Sequence, residues 1–268
     1  MSIETRETIT YSELTDDEKH IFQHLPELLQ CQKLYCGNNQ LIHLPDLPQC
    51  QRFWCDHNQL THLPDLSQCQ HLHCHNNYLS TVTHLPELPH CQYLYCHNNQ
   101  LTHLPKLPQC LELWCCGNQL THLPDLPQCQ DLGCCVNQLT HLPELPQCQH
   151  LGCDHNQLTH LPELPQCQHL YCHNNQLTHL PDLPQCQILS CSENPNLYYS
   201  KLLSIRYGLS FPSLGQHQHF KQIWFHRIKQ IHTLRFVRKL KLGALDTNQT
   251  LDRYLRDQII NLSLTEVL

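Results

Sequence analysis

The stretch Leu161–His179, LPELPQCQHLYCHNNQLTH, decides the fold. With small changes it starts again at Leu25, Leu44, Leu63, Leu85, Leu104, Leu123, Leu142 and Leu180, so nine near-copies follow one another. The spacing is 19 residues, except in one unit of 22 that Ser80, Thr81 and Val82 lengthen. Such a period marks a solenoid, in which each unit is too small to bury its own apolar face and must stack on its neighbours. Seven of the nine units carry Cys-x-x-Leu-x-Cys-x-x-Asn-x-Leu, as at Cys167, Leu170, Cys172, Asn175 and Leu177; the second has Phe53 for the first leucine, and in the last Leu197 comes one position late. The leucine and second cysteine alternate with free positions, which is the period of a short strand. Stacking sets these strands parallel, about 4.8 Å apart. The repeated asparagine is predicted to turn inward after each strand and bond backbone groups that the turning chain leaves open. The Leu-Pro-x-Leu-Pro return holds too much proline for a helix and predicts an extended, polyproline-like run.

This pattern resembles leucine-rich repeats in which two of the leucines are cysteine. Its LPxLP segment is similar to the short class found in secreted bacterial effectors. The load of cysteine and histidine resembles the versions encoded by giant DNA viruses of amoebae. The resemblance covers residues 25–197, and the property it implies is binding to other proteins. The expected architecture is an α/β repeat solenoid: a gently curved arc with a parallel concave sheet, an extended convex side and a helical C-terminal segment.

All 20 cysteines lie at or before Cys191, and eighteen occupy two core positions of the nine units, as in Cys31/Cys36 and Cys110/Cys115. There a thiol serves as a small hydrophobe in place of leucine or valine. Disulfides between neighbouring units and a soft metal ion remain as other uses, although Cys-x4-Cys is wider than ordinary zinc spacing. Cys116 and Cys135 break the pattern, one position beyond the ladder in consecutive units. They are expected to be stacked and more accessible, and so are the candidates for reactive or metal-binding thiols. No cofactor is expected.

Eight histidines form a column in the Thr-His-Leu-Pro corner, from His43 and His62 through His84, His103, His122, His141 and His160 to His179. The plain reading is a copied, solvent-facing residue. The sharper one is a pH-responsive or metal-collecting strip, since protonated imidazoles roughly 5 Å apart would repel one another.

Comparing units within the chain separates held positions from free ones. The third position reads Lys33, Arg52, His71, Tyr93, Glu112, Asp131, His150, His169 and Ile188. The fifth reads Tyr35, Trp54, His73, Tyr95, Trp114, Gly133, Gly152, Tyr171 and Ser190. Both point away from the core. Aromatic and varied polar groups on a rigid surface suit a protein partner, because Trp and Tyr supply contact area at low entropy cost. The candidate partner-binding residues are Lys33, Tyr35, Arg52, Trp54, His71, His73, Tyr93, Tyr95, Glu112, Trp114 and Tyr171, with most of the stripe in the first five units.

The ends differ from the middle. Residues 1–24 carry a capping-box signal at Thr15-Asp-Asp-Glu18 and read as a helical cap on the first unit. Residues 198–268 read as helices over about 198–207, 217–241 and 250–263. Charge divides with them: residues 1–191 hold 5 Lys/Arg against 18 Asp/Glu, a net of −13, and residues 192–268 hold 11 against 5, a net of +6. The basic amphipathic stretch 217–241 could attach to acidic membranes or nucleic acid; its plainer role is to pack on the last repeat and complement its charge.

No glycine-rich phosphate loop or Ser/His/Asp spacing singles out a catalytic module. Some effectors with similar repeats carry a ubiquitin ligase that needs a nucleophilic cysteine, and the last 77 residues contain none. No apolar run approaches a membrane span, and the N-terminus lacks a signal-peptide pattern. The reading is a monomeric, non-enzymatic scaffold in the cytoplasm that binds a protein; the viral resemblance implies a host protein. Metal or thiol binding is the alternative.

Overall fold

The computed structural model describes residues 7–20, 22–79 and 85–197. The lengthening Ser80–Val82, His84 and the expected C-terminal helices, 217–241 included, lie outside the described residues.

Among the described residues, ten strands of three residues form one parallel sheet in chain order. They are β1 (Thr8–Thr10), β2 (Lys33–Tyr35), β3 (Arg52–Trp54), β4 (His71–His73), β5 (Tyr93–Tyr95), β6 (Glu112–Trp114), β7 (Asp131–Gly133), β8 (His150–Gly152), β9 (His169–Tyr171) and β10 (Ile188–Ser190). Each strand pairs with the same positions of the next unit, as in Leu34↔Phe53 and Leu113↔Leu132. The extra length before Leu85 leaves this register intact, since Leu72 still meets Leu94. The result is a solenoid of stacked turns, as the repeat requires.

The middle residue of every strand points into the core, and both ladder cysteines of each unit up to Cys172 are buried with it. The first of the two does more than fill space. Its thiol lies within reach of the carbonyl two residues on, 3.1 Å for Cys31 to Lys33, 3.2 Å for Cys110 to Glu112 and 3.3 Å for Cys148 to His150. A thiol is a weak donor, so this bond adds little energy, but it occupies a carbonyl that a leucine would leave alone.

From Asn58 to Asn194 the asparagines turn inward, whereas among the described residues the side-chain amide of Asn39 bonds only Gly37 O. Asn156 donates to Cys134 O at 3.0 Å and Cys153 O at 3.2 Å, while its Oδ1 accepts from Leu139 N at 3.0 Å. Asn58, Asn77, Asn118 and Asn175 repeat these bonds in their own units. One side chain thus satisfies backbone groups of two adjacent turns and ties each turn to its predecessor. Just before it the chain passes through the left-handed region, at His57, Asn76, Asn98, Gly117, Val136, His155 and Asn174 among others, with φ between 51° and 64°. From Leu44 on the described returns are extended and helix-free, whereas the first, Pro26–Gln30, winds into a 3-10 helix instead of the expected extended run. A tight turn such as Cys50 N–H to Leu47 O at 3.1 Å precedes each strand from β2 on.

At the N-terminus the structure departs from the expected helical cap. A helix does form over Asp16–His20 (α1), and its capping box is made: Glu18 Oε2 accepts from Thr15 N at 2.8 Å, and Glu18 N donates to Thr15 Oγ1 at 3.2 Å. The sheet edge, however, is covered by β1, which pairs parallel with β2. Gln32 and Lys33 N–H both reach Glu7 O, at 2.9 and 3.0 Å. A strand can satisfy the open backbone groups of an edge; a helix cannot. Ile9, Leu14 and Phe22 close the apolar end.

Candidate functional site

The outward sheet face carries two parallel stripes, because in-register pairing sets equivalent residues of successive units side by side. Lys33, Arg52, His71, Tyr93 and Glu112 begin their strands, and Tyr35, Trp54, His73, Tyr95 and Trp114 end them. At strand spacing flat rings can lie face to face, and here they do. Tyr35 stacks on Trp54 with centroids 4.5 Å apart, Trp54 on His73 at 5.1 Å, and His73 on Tyr95 at 4.3 Å, all within 21° of parallel. In the first stripe His71 stacks on Tyr93 at 4.5 Å. Each such pair contributes about 0.5–1.5 kcal/mol beyond its burial. The stripe therefore covers much of itself: Tyr35, Trp54, Tyr93 and Tyr95 are half-buried. Trp114 and Tyr171 remain exposed, each at 40%.

Polar neighbours hold the far end of the stack. Tyr95 donates its hydroxyl to Glu112 Oε2 at 2.6 Å, and burial together with this bond pushes its pKa up. Beyond Trp114 the stripe gives way to Gly133 and Gly152, and Tyr171 stands apart on β9. The first five units thus bring their candidate residues together into one continuous surface, and Tyr171 is not part of it.

A third column runs along the residue after the second ladder cysteine: Gly37, Asp56, His75, His97, Cys116, Cys135, Asp154, His173 and Ser192. Nearly all of it is made of ligand-bearing side chains. Only its two cysteines stood out in the sequence. Tabulating this position across the units would have exposed the rest, since it is neither core nor strand and varies in a restricted chemical set. Cys116 and Cys135 are indeed stacked and half-buried, but they are joined in a disulfide, with Cα atoms 4.6 Å apart. In that form neither supplies a thiolate, which corrects the expectation of reactive or metal-binding thiols there. Stacking of equivalent positions places the two sulfurs in bonding range, a consequence of register that spacing of 19 residues alone does not display.

On either side of this disulfide lie two clusters of imidazole and carboxylate. In Asp56, His57 and His75, and again in Asp154, His155 and His173, one ligand atom per residue lies within 4.8 Å of the others. The core thiols are a different matter. Burial pushes their pKa values up, to about 12 at Cys50 and Cys91, so they stay protonated and inert as ligands.

Burial also lowers the pKa of four histidines on and beside the stripes, His71, His73, His75 and His97. Desolvation dominates in each; Asp56 partly opposes it at His73, His75 and His97, and Arg52 adds to it at His71. His75 and His97 stack at 4.2 Å. The corner column lies elsewhere. There the Nδ1 atoms of His62, His122, His141, His160 and His179 contact the preceding threonine hydroxyl at 3.0–3.2 Å, a local pairing within each unit.

No family model matches this chain, and no curated protein matches it. Among solved structures it is similar to YopM from Yersinia enterocolitica WA-314, at 31% sequence identity and a TM-score of 0.54, over 69% of this chain and 49% of that one. YopM from Yersinia pestis, described as a leucine-rich effector protein, matches at 27% identity and a TM-score of 0.41, over 61% of this chain and 60% of that one. The functional domain of InlJ from Listeria monocytogenes, described as including a cysteine ladder, matches at 24% identity and a TM-score of 0.47, over 73% and 55%. The chain spans about half the length of the first YopM. With the repeat and the parallel sheet, that first likeness makes the fold a leucine-rich repeat solenoid.

Proposed function

We propose that this chain is a non-enzymatic interaction scaffold that binds a protein partner on the outward sheet face of units one to five. The stacked run Tyr35–Trp54–His73–Tyr95 carries the reading. Rings held by their neighbours lose little freedom when a partner covers them, so their contact area converts efficiently into affinity. Lys33 and Arg52 on one flank and Glu112 on the other supply charges of both signs for specificity. The chain acts as a monomer on a host protein in the cytoplasm, in line with the viral and effector resemblance.

Affinity capture with the full chain, beside a Trp54→Ala/Trp114→Ala variant, tests this. The expected result is a protein retained by the parent and lost with the variant while thermal unfolding stays near the parent's. Retention of the same proteins by both would overturn the assignment of the face.

A further inference from the structure

The clusters at Asp56/His57/His75 and Asp154/His155/His173 lie beside the interaction stripes, the first bordering them through His75, whose ring centroid is 6.3 Å from that of His73. We propose that each is a binding site for a divalent transition metal ion of the zinc class, held by one aspartate oxygen and two histidine nitrogens. Asp56 Oδ2 lies 3.0 Å from His57 Nδ1 and 3.9 Å from His75 Nε2. Asp154 Oδ2 lies 3.0 Å from His155 Nδ1 and 3.7 Å from His173 Nε2. A tetrahedral ion with ligands at about 2.0–2.2 Å needs them roughly 3.3 Å from one another, so small ring rotations close either triangle. The first histidine of each triangle is free to turn, while His75 is held at 17% exposure. The carboxylates are held at 17% and 19% exposure, whereas His57 and His155 are 49% and 47% exposed. Imidazole with a single carboxylate favours zinc, copper or nickel over calcium and magnesium, and three protein ligands leave a position open to water or to another molecule.

The second observation is recurrence. Asp-His occurs twice in the chain, both times just after a ladder cysteine, and both times a histidine follows the aspartate by 19 residues, at His75 and His173. The two clusters are five units apart and share one arrangement, with rings 83° and 84° apart and centroids 5.2 Å apart in both. Their surroundings differ: His75 stacks on His97, while His173 Nδ1 lies 3.3 Å from Ser190 Oγ. Both clusters lie in copies of one segment, Cys55–Asn77 and Cys153–Asn175, which differ at Asp65/Glu163, Ser67/Pro165 and His73/Tyr171, so the arrangement is a property of that segment. At the first site His57 Nε2 lies 2.9 Å from the Asn76 amide nitrogen, whose oxygen accepts from Asn98 Nδ2 at 2.8 Å, so ligation through His57 Nδ1 requires both amides to turn over together.

Cobalt(II) and zinc(II) titrations of the untagged full chain, kept without reductant, test the proposal. Tetrahedral cobalt absorption is expected to saturate at two equivalents, without a sulfur-to-cobalt charge-transfer band, and to be displaced by zinc. His75→Ala and His173→Ala should each reduce this to one equivalent and the pair to none, while the corner variant His122→Ala keeps two. His57→Ala, at an exposed position, repeats the first loss without touching the interior. Absence of tetrahedral absorption, or two equivalents in both His75→Ala and His173→Ala, overturns the sites.

Discussion

The indole of Trp114 lies against Gly133 of the next strand: a Cβ at that glycine would sit 3.1 Å from Trp114 Cε3. The glycine is thus the seat of the ring and not a gap in the stripe. Gly152, one unit on, has only Leu132 O within range, at 3.9 Å. Gly133→Ala should therefore displace Trp114, shifting its fluorescence and weakening partner binding, whereas Gly152→Ala should leave both as they are. Equal responses to the two substitutions would disprove the seating.

Val136 is a β-branched residue at φ 53°, in the left-handed turn that Asn, His, Gly and Glu occupy in other units. Its side chain is also 53% exposed, so burial offers little in return. Strain of this kind costs about 1–2 kcal/mol. Val136→Asn should stabilise the chain by about 1 kcal/mol in urea unfolding, and a loss of stability would show that the valine has contacts that matter more than its backbone.

Removing an inward asparagine should do the reverse. Asn156→Leu leaves Cys134 O, Cys153 O and Leu139 N without that partner inside the stack. Each orphaned buried group costs about 1–3 kcal/mol, so the loss should be on the order of 3 kcal/mol or more. A midpoint unchanged in urea would mean that other groups or water replace the amide.

Stability should fall on acidification. His71, His73, His75 and His97 have folded pKa values below the ordinary 6.5, so the unfolded chain binds protons more readily. Stability is then full above 6.5 and declines as pH falls through that value towards the lowered ones. Thermal midpoints at about pH 7.5 and about pH 5.5 should differ in this sense, with a smaller difference in His75→Gln/His97→Gln. A flat profile contradicts the burial of these rings.

The ladder thiols from Cys31 to Cys172 should resist alkylation in the native chain, because the reagent needs an exposed thiolate and these groups are buried with raised pKa values. Mass spectrometry should show their labelling only after denaturation. Cys116 and Cys135 should label only after reduction, and then in the folded state. Rapid native labelling at Cys50 or Cys110 would remove the closed core.

Nine copies of one spacing were enough to read the strands, the inward asparagines, the extended returns and the two outward stripes. Each of these depends on alternation or composition within a single unit, and repetition removes the ambiguity that a lone strand of three residues carries. The capping box at Thr15 and Glu18 was legible for the same reason, being local. β1 was not, since Thr8–Thr10 is recognisable as a strand only beside the open edge of β2.

What the amino-acid order determined alone is the turn of the solenoid, because its apolar positions permit only one inward face. What the tertiary structure decided is which side chains of successive turns touch. Tyr35 against Trp54, Cys116 against Cys135 and Asp56 against His75 are neighbours only once the register has fixed equivalent positions side by side. The rings and ligands of those pairs interact over a few ångströms, a distance that stacking sets and chain separation does not.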